Sequence, residues 1–328
     1  MKMKTMAHKF AALHYSITHA HRILLLAHTR PDPDTIGATT ALYSFLCGIG
    51  KSVTLACADT FPNTFDPFLP PYTQTDLSTV TLSEFDLVIG ADNIDRGFGS
   101  ILKKLPRDHC VTVGIDHHPH TAIRPDILIT NPQSSSTCEI IYQFFTHIHH
   151  TPSSHEAAAL LIGILGDTRI FQNNSTDAAT LSTVASLAER GISPKDIISS
   201  FMERPIATLS LWGTALRNAV RVNPSGAIIT ALDHTTITRS NIPTDSIIEE
   251  LKEVASLLAN TPDTPFAMML IQVTPTTIKG SIRAERDRNT DTAQIASLFG
   301  GGGHTLASGF EVRGRVIKKD SIWHITAS

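Results

Sequence analysis

Four apolar runs in this chain end in acid or imidazole. RILLLAH closes on His28, FDLVIGAD on Asp92, CVTVGIDHH on Asp116, His117 and His118, and LLIGILGD on Asp167. A run with no polar alternation cannot lie half in water. It reads as an element covered on both sides, as in a parallel sheet. DTIGATTALYSFLCGIG has helical spacing and stops at glycine, and HEAAALLIGILGDT reads as a helix for most of its length. KSVTLACAD and DILITN are further strands, and Ser136 followed by Glu139 has the form of a capping box opening a helix over CEIIYQFF. Alternating strands and helices predict an α/β fold built on a parallel, doubly wound sheet.

A length of 328 residues suits two domains. Near Gly191 the texture changes. GISPKDIISSFMERPIATLSLWGTALRNAV is interrupted by Pro194 and Pro205 and reads as a helical linker. The expected division is a metal-binding domain over 1–190, a linker over 191–215 and a second, smaller α/β domain over 216–328. In the last, GAIITALD reads as a strand and PFAMMLIQVTPTTIKGSIRAE as a hairpin, with helices at about 245–260 and 291–299. Hydrophobic residues make up 41% and charged residues 17%, which excludes wholesale disorder. A formal charge of -3 argues against a surface that coats long duplex nucleic acid. Cys47, Cys57, Cys110 and Cys138 form no metal-spaced pair and read as small buried hydrophobes in a reducing compartment. RILLLAH is far short of the roughly 20 apolar residues of a membrane span, so a soluble, cytoplasmic protein is expected.

Open α/β sheets bind ligands at the carboxyl ends of their strands. The polar residues that follow the apolar runs therefore belong together: His28, Asp32 and Asp34; Asp92; Asp116, His117 and His118; Asp167. One such aspartate is usually a turn residue. Four run ends in register are harder to dismiss, because crowded carboxylates repel and some must be neutralised. Divalent cations resolve that conflict. The mixed oxygen and imidazole set suits Mn²⁺, with Mg²⁺ or Co²⁺ as alternatives. The set exceeds what one open catalytic ion takes, so two ions roughly 3.5–4 Å apart with a bridging carboxylate fit better. A second feature, GGGGH, has two readings of equal weight on spacing alone: a flexible turn, or a nest of backbone N–H groups for an anion.

HTRPDPDTIGA, GADNIDRGFG, GIDHHPH and GILGDT resemble, in order, the motifs of the DHH phosphoesterase superfamily. FGGGGHTLASGF resembles the glycine-rich motif of its DHHA1 C-terminal domain, and the match runs from about residue 22 to 312. The two-domain length is similar to the bacterial oligoribonuclease (nanoRNase) and 3'-phosphoadenosine-5'-phosphate phosphatase group. The resemblance implies that His28 and Asp32 hold one Mn²⁺, that Asp34, His117 and Asp167 hold the other, and that Asp92 bridges them. It implies that Asp116 orients an imidazole and that His118 faces the substrate phosphate and protonates the leaving oxygen. Arg283, Gly302, Gly303 and His304 would bind phosphate from the second domain, across a cleft. Four positions depart from the usual motifs: Arg30 stands for asparagine, Pro33 and Arg169 for glycine, and Ala38 for serine.

The implied activity is phosphoester hydrolysis by water activated between two metal ions. The implied partners are short RNA or DNA oligonucleotides, dinucleotides such as linearised cyclic dinucleotides, or 3'-phosphoadenosine-5'-phosphate. No membrane partner is expected, and a homodimer is left open. One rival is a manganese pyrophosphatase of the same superfamily, whose second domain carries a Lys- and Arg-rich motif in place of GGGH. Another is a catalytically silent nucleotide-binding protein, which would have lost ligands that this chain keeps. An exonuclease for long single strands would want stacking platforms, and aromatics are only 6% here.

Overall fold

The computed structural model describes residues 2–105, 110–118, 123–173, 175–320 and 322–326. The chain folds as two units, Met1–Glu203 and Arg204–Ser328.

In the first unit, β1 (Arg22–Leu26), β2 (Ser52–Cys57), β3 (Gln74–Asp76), β4 (Leu87–Ala91), β5 (Val111–Asp116) and β6 (Ile127–Thr130) form one parallel sheet. Its strand order is β3-β2-β1-β4-β5-β6, so the winding reverses between β1 and β4. The helices are α1 (Lys2–His19), α2 (Pro33–Gly48), α3 (Gly99–Leu102), α4 (Thr137–His147), α5 (Ser154–Asp167), α6 (Ala178–Ala188) and α7 (Pro194–Met202). The unbroken apolar runs are explained by burial on both faces. Ile23 and Leu25 of β1 pack with Leu13 of α1, Leu42 of α2, Phe144 of α4 and Leu161 of α5. Leu24 and Leu26 pack on the other face with Val88, Phe98 and Ile101. α2 and α5 approach closely because α5 carries glycine at the contact. A Cβ on Gly163 would meet Cys138 Sγ and lie 2.8 Å from Asp34 Oδ1.

The second unit holds α8 (Ile206–Arg217), β7 (Val220–Val222), β8 (Ala227–Leu232), α9 (His234–Arg239), α10 (Thr244–Ala259), β9 (Ala267–Thr274) and β10 (Thr277–Arg283). It continues with α11 (Thr292–Ser297), β11 (Gly302–His304), β12 (Ala307–Arg313), β13 (Arg315–Lys319) and β14 (Ile322–Thr326). The sheet order is β11-β12-β10-β9-β8-β7, antiparallel except between β8 and β9. Met269 and Ile271 face a core formed with α8 and α10, while Met268 and Leu270 face Phe310 and Ala296. The β13–β14 hairpin forms a separate two-stranded sheet. No described helix is long and apolar enough to cross a membrane.

Three details differ from the sequence reading. The linker segment 191–215 is shared out, with α7 in the first unit, where Phe201 lies against Phe65, and α8 in the second. The glycine run is not one loop: Gly300 lies in a turn, while Gly302 and Gly303 join His304 in β11, an edge strand paired with β12. The capping box at α4 is only half made. The Ser136 hydroxyl accepts the Glu139 N–H (3.1 Å), but the Glu139 carboxylate turns to the backbone N–H and hydroxyl of Ser135, both at 2.7 Å.

The complete capping box lies at α5, between Ser153 and Glu156. Glu156 is buried, and although burial pushes its carboxyl upward, bonds from His150, Ser153 and Ser44 hold it below 4.5. Its folded value is thus lower than its unfolded one. The stabilisation is fully present above about pH 4.5 and is lost as pH falls through the folded value. Glu156→Ala should lower the unfolding free energy by about 1–2 kcal/mol near neutral pH, read as a lower denaturant midpoint.

Candidate metal centre

The reversal point of a wound sheet leaves a crevice at the strand ends, and the predicted donors gather there. His28 follows β1, Asp92 follows β4, and Asp116, His117 and His118 close β5. α2 begins beside β1, with Asp32 as its N-cap accepting the Thr35 N–H (3.1 Å). Pro33 is then the first helical residue, where a fixed φ suits the helix and the missing N–H costs nothing. This explains why proline is tolerated at the motif's glycine position. Pro33 packs so tightly on α5 that a Cβ at Gly166 would lie 2.6 Å from its own Cβ. Asp167 ends α5.

These side chains form three convergent groups: His28, Asp32 and Asp92; Asp34, His117 and Asp167; and Asp92, Asp116, His117 and His118. Within each, one donor atom per residue lies within 4.8 Å of the others. His28 Nε2 is 3.3 Å from Asp32 Oδ2 and 3.5 Å from Asp92 Oδ2. His117 Nε2 is 2.9 Å from Asp167 Oδ2. No thiolate joins them, since Cys138 Sγ donates instead to the Asp34 main-chain oxygen (3.5 Å).

The tautomers suit metal binding. His28 Nδ1 is 2.7 Å from the Thr29 carbonyl, so Nδ1 donates there and Nε2 is the nitrogen that faces the carboxylates and would meet a cation. His118 Nδ1 is 2.7 Å from Asp116 Oδ1, which also accepts the His118 N–H (2.9 Å). Asp116 Oδ2 accepts the Ile94 N–H (3.1 Å). Asp116 is therefore tied down on both oxygens and fixes the His118 ring, leaving its Nε2 without a partner among the described residues.

The carboxylates are under electrostatic pressure. Asp34 is fully buried, and burial together with the Asp167 and Asp92 charges drives its carboxyl well above the usual range. Asp92 is pushed upward by burial and by the charges of Asp32, Asp116 and Asp167. His28 and His117 are each raised to about 9: burial pulls them down, but bonds to Asp32 and Asp92 in one case, and to Asp167 in the other, outweigh it. A hard-donor set that accumulates this much negative charge fits cation binding.

Three residues that the sequence did not single out complete the centre. The Thr35 hydroxyl donates to Asp92 Oδ2 (3.1 Å) and the Thr137 hydroxyl to Asp92 Oδ1 (3.3 Å). The N-terminus of α4 holds Asp34, with the Thr137 N–H on Oδ2 (2.7 Å) and the Cys138 N–H on Oδ1 (3.0 Å). Unpaired amides and the helix dipole make such an end an anion cradle. Arg96 reaches Asp32 Oδ2 (2.6 Å) and His28 Nε2 (2.9 Å).

Two departures from the motifs have backbone consequences. Arg169 stands where the motif has glycine and adopts φ +49, and Ile170 and Phe171 follow at +55 and +65. Each left-handed residue costs about 1–2 kcal/mol. The turn is held by Asn173 Nδ2 on the Asp167 carbonyl (2.6 Å) and by the Phe171 N–H on the Thr168 hydroxyl (3.1 Å). Arg30 also has positive φ, +54, with its N–H on Asp59 Oδ2 (2.7 Å). Ala38 is buried within α2.

The remaining predicted residues lie in the second unit. Arg283 ends β10 opposite Ala307, which lies opposite His304 of β11, so Arg283 and His304 share one cross-strand row. Directly paired positions project to the same face. Gly302, Gly303 and His304 are exposed. Gly303 has φ +143, and a Cβ there would lie 2.6 Å from Ser308 Cα, so this position requires glycine.

Residues 22–164 match the model of the DHH family, N-terminal domain, the stretch that contains β1 to β6 and every predicted donor except Asp167. Over 293 residues the chain is 25% identical to the bifunctional oligoribonuclease and PAP phosphatase NrnA of Thermus thermophilus, covering 89% of this chain and 84% of that one. It is 25% identical over 300 residues to the NrnA of the same description from Bacillus subtilis, covering 88% and 89%. An exopolyphosphatase-related protein from Bacteroides fragilis superposes with a TM-score of 0.79 at 20% identity, covering 92% of this chain and 90% of that one, a likeness of fold. The parallel sheet, its strand-end carboxylates and imidazoles, and the family match coincide on the same residues: the segment 22–164 is similar to the N-terminal domain of the DHH family.

Proposed function

We propose that this protein is a manganese-dependent phosphoesterase that hydrolyses short oligonucleotides, dinucleotides such as linearised cyclic dinucleotides, and 3'-phosphoadenosine-5'-phosphate. The observation that carries this reading is the placement of Asp92. Its Oδ2 faces His28 Nε2 (3.5 Å) and its Oδ1 faces His118 Nδ1 (3.6 Å), and both oxygens are held by threonine hydroxyls. His28 and Asp32 would hold one cation, Asp34, His117 and Asp167 the other, and Asp92 both. Two such ions polarise a phosphoryl oxygen and make a bound water nucleophilic near neutral pH.

The chain's own residues supply the rest. Asp116 keeps the His118 ring in one orientation with Nδ1 protonated. That bond raises the His118 pKa and suits the ring to deliver a proton to the leaving oxygen. α4 and the two threonines hold the carboxylates, so little reorganisation is needed at the moment of reaction. In the second unit, Arg283 and His304 would bind a substrate phosphate on one sheet face, as in the DHHA1 domain that FGGGGHTLASGF resembles. The preference for short substrates is supported by the relatives named oligoribonuclease and PAP phosphatase, and by a net charge too small to hold long duplexes.

The test is a parallel assay with Mn²⁺ on a labelled dinucleotide, a short and a long oligonucleotide, 3'-phosphoadenosine-5'-phosphate and pyrophosphate. The dinucleotide, short oligonucleotide or 3'-phosphoadenosine-5'-phosphate should be turned over best. Preference for pyrophosphate would replace the reading with a pyrophosphatase, and no turnover of any would favour a silent binder. Arg283→Ala should raise KM about 10- to 100-fold with kcat little changed, the loss of one charge-assisted phosphate contact. Steady-state kinetics on the best substrate read this directly.

A further inference from the structure

Arg96 lies on Ile94–Phe98, a π-helical turn after β4 in which Arg96 (φ -114, ψ 29) and Gly97 (φ +133) leave helical geometry. Its Nη1 is 2.6 Å from Asp32 Oδ2 and 2.9 Å from His28 Nε2. His28 Nε2 is also 3.5 Å from Asp92 Oδ2, and His28, Asp32 and Asp92 form one convergent donor group. An imidazole nitrogen has one lone pair and accepts one electrophile. Arg96 Nη1 at 2.9 Å occupies the approach to that nitrogen, and a divalent cation bound at about 2.0–2.2 Å needs the same place. The two cannot be satisfied together. The other ligand set has no such rival: among the described residues no Lys or Arg forms an ion pair with Asp34, His117 or Asp167. The Arg96 side chain is 44% exposed, so it has a way out to solvent.

We infer that Arg96 competes with a divalent cation for the His28–Asp32 side of the centre, so that the two sides load unequally and this one fills last. The inference rests on the assignment of His28, Asp32 and Asp92 to one cation. The cation on the Asp34–His117–Asp167 side meets only carboxylates and an imidazole. The cation on the His28 side must first displace a guanidinium from both of its terminal ligands. Charge is conserved in sign at this place, one cationic group giving way to another.

The experiment is a calorimetric Mn²⁺ titration of chelator-stripped full-length protein, comparing wild type, Arg96→Ala, Arg96→Lys and His28→Ala. Wild type should show two binding events, and His28→Ala should remove the weaker one, which assigns it. Arg96→Ala should tighten that weaker event about tenfold and leave the stronger one unchanged. Arg96→Lys should fall between, since an ammonium lacks the planar fork that spans both ligands. The melting temperature of the stripped protein should fall in Arg96→Ala, while the Mn²⁺-saturated value stays at wild type. Equal affinities in wild type and Arg96→Ala would overturn the competition while leaving the two-cation reading intact. Weaker binding in Arg96→Ala, with Arg96→Lys behaving alike, would make Arg96 a structural support instead. No Mn²⁺ binding in wild type or any variant would overturn both.

Discussion

Asp92→Ala is expected to lower turnover by on the order of a thousandfold or more and to reduce the Mn²⁺ bound per chain. Asp92 is buried, has φ +54 and donates its N–H to Ile115, so its backbone is fixed by the neighbouring strand. Its two oxygens look toward different partners, His28 on one side and His118 on the other. No other described carboxylate in the centre is common to the His28 group and the His117 group. Removing it should disable both cations at once, whereas a residue serving one cation should spare the other. Atomic absorption on the dialysed variant, alongside its kinetics, checks both halves of the expectation. Near-normal activity would make the bridging role wrong.

The adjacent imidazoles should separate cleanly. His117 Nε2 lies against Asp167 in the group with Asp34, so His117→Ala should lose metal and activity together. His118 is committed through Nδ1 to Asp116. His118→Ala should keep its metal content and lose about a hundred- to ten-thousand-fold in kcat, the range for a positioned proton donor. Metal analysis and kcat on the two variants distinguish these outcomes. Loss of metal in both would assign His118 to the metal as well.

Much of the centre was legible because its chemistry sits where apolar runs stop. A carboxylate or imidazole at the end of a buried strand has no local task, so its residue type and position carry information. Thr35 and Thr137 carry no such signal, since a threonine near a helix start is ordinary local structure. Their contacts to Asp92 arise only when α2 and α4 are packed at the end of β4. Arg96 lies within GADNIDRGFG, but its contacts are not legible there, because neither a π-helical turn nor a long side chain's direction follows from spacing.

The second unit shows a different limit. β9, β10, α10 and α11 follow from periodicity and turn chemistry. β11 does not, because two glycines in three residues have almost no strand preference of their own. Pairing with β12 supplies what the local sequence lacks. Pro194 and Pro205 suggested a linker, yet Pro194 opens α7 as its first residue and Pro205 precedes α8. Which unit each helix joins is decided by packing, Phe201 on Phe65 in one case and Leu211 in the core with Leu251 in the other.

Anomalous diffraction at the manganese edge, on crystals grown with Mn²⁺, addresses the central claim most directly. Two peaks about 3.5–4 Å apart are expected, one among His28, Asp32 and Asp92 and the other among Asp34, His117, Asp167 and Asp92. A single peak, or none at these residues under saturating Mn²⁺, would contradict the two-cation centre.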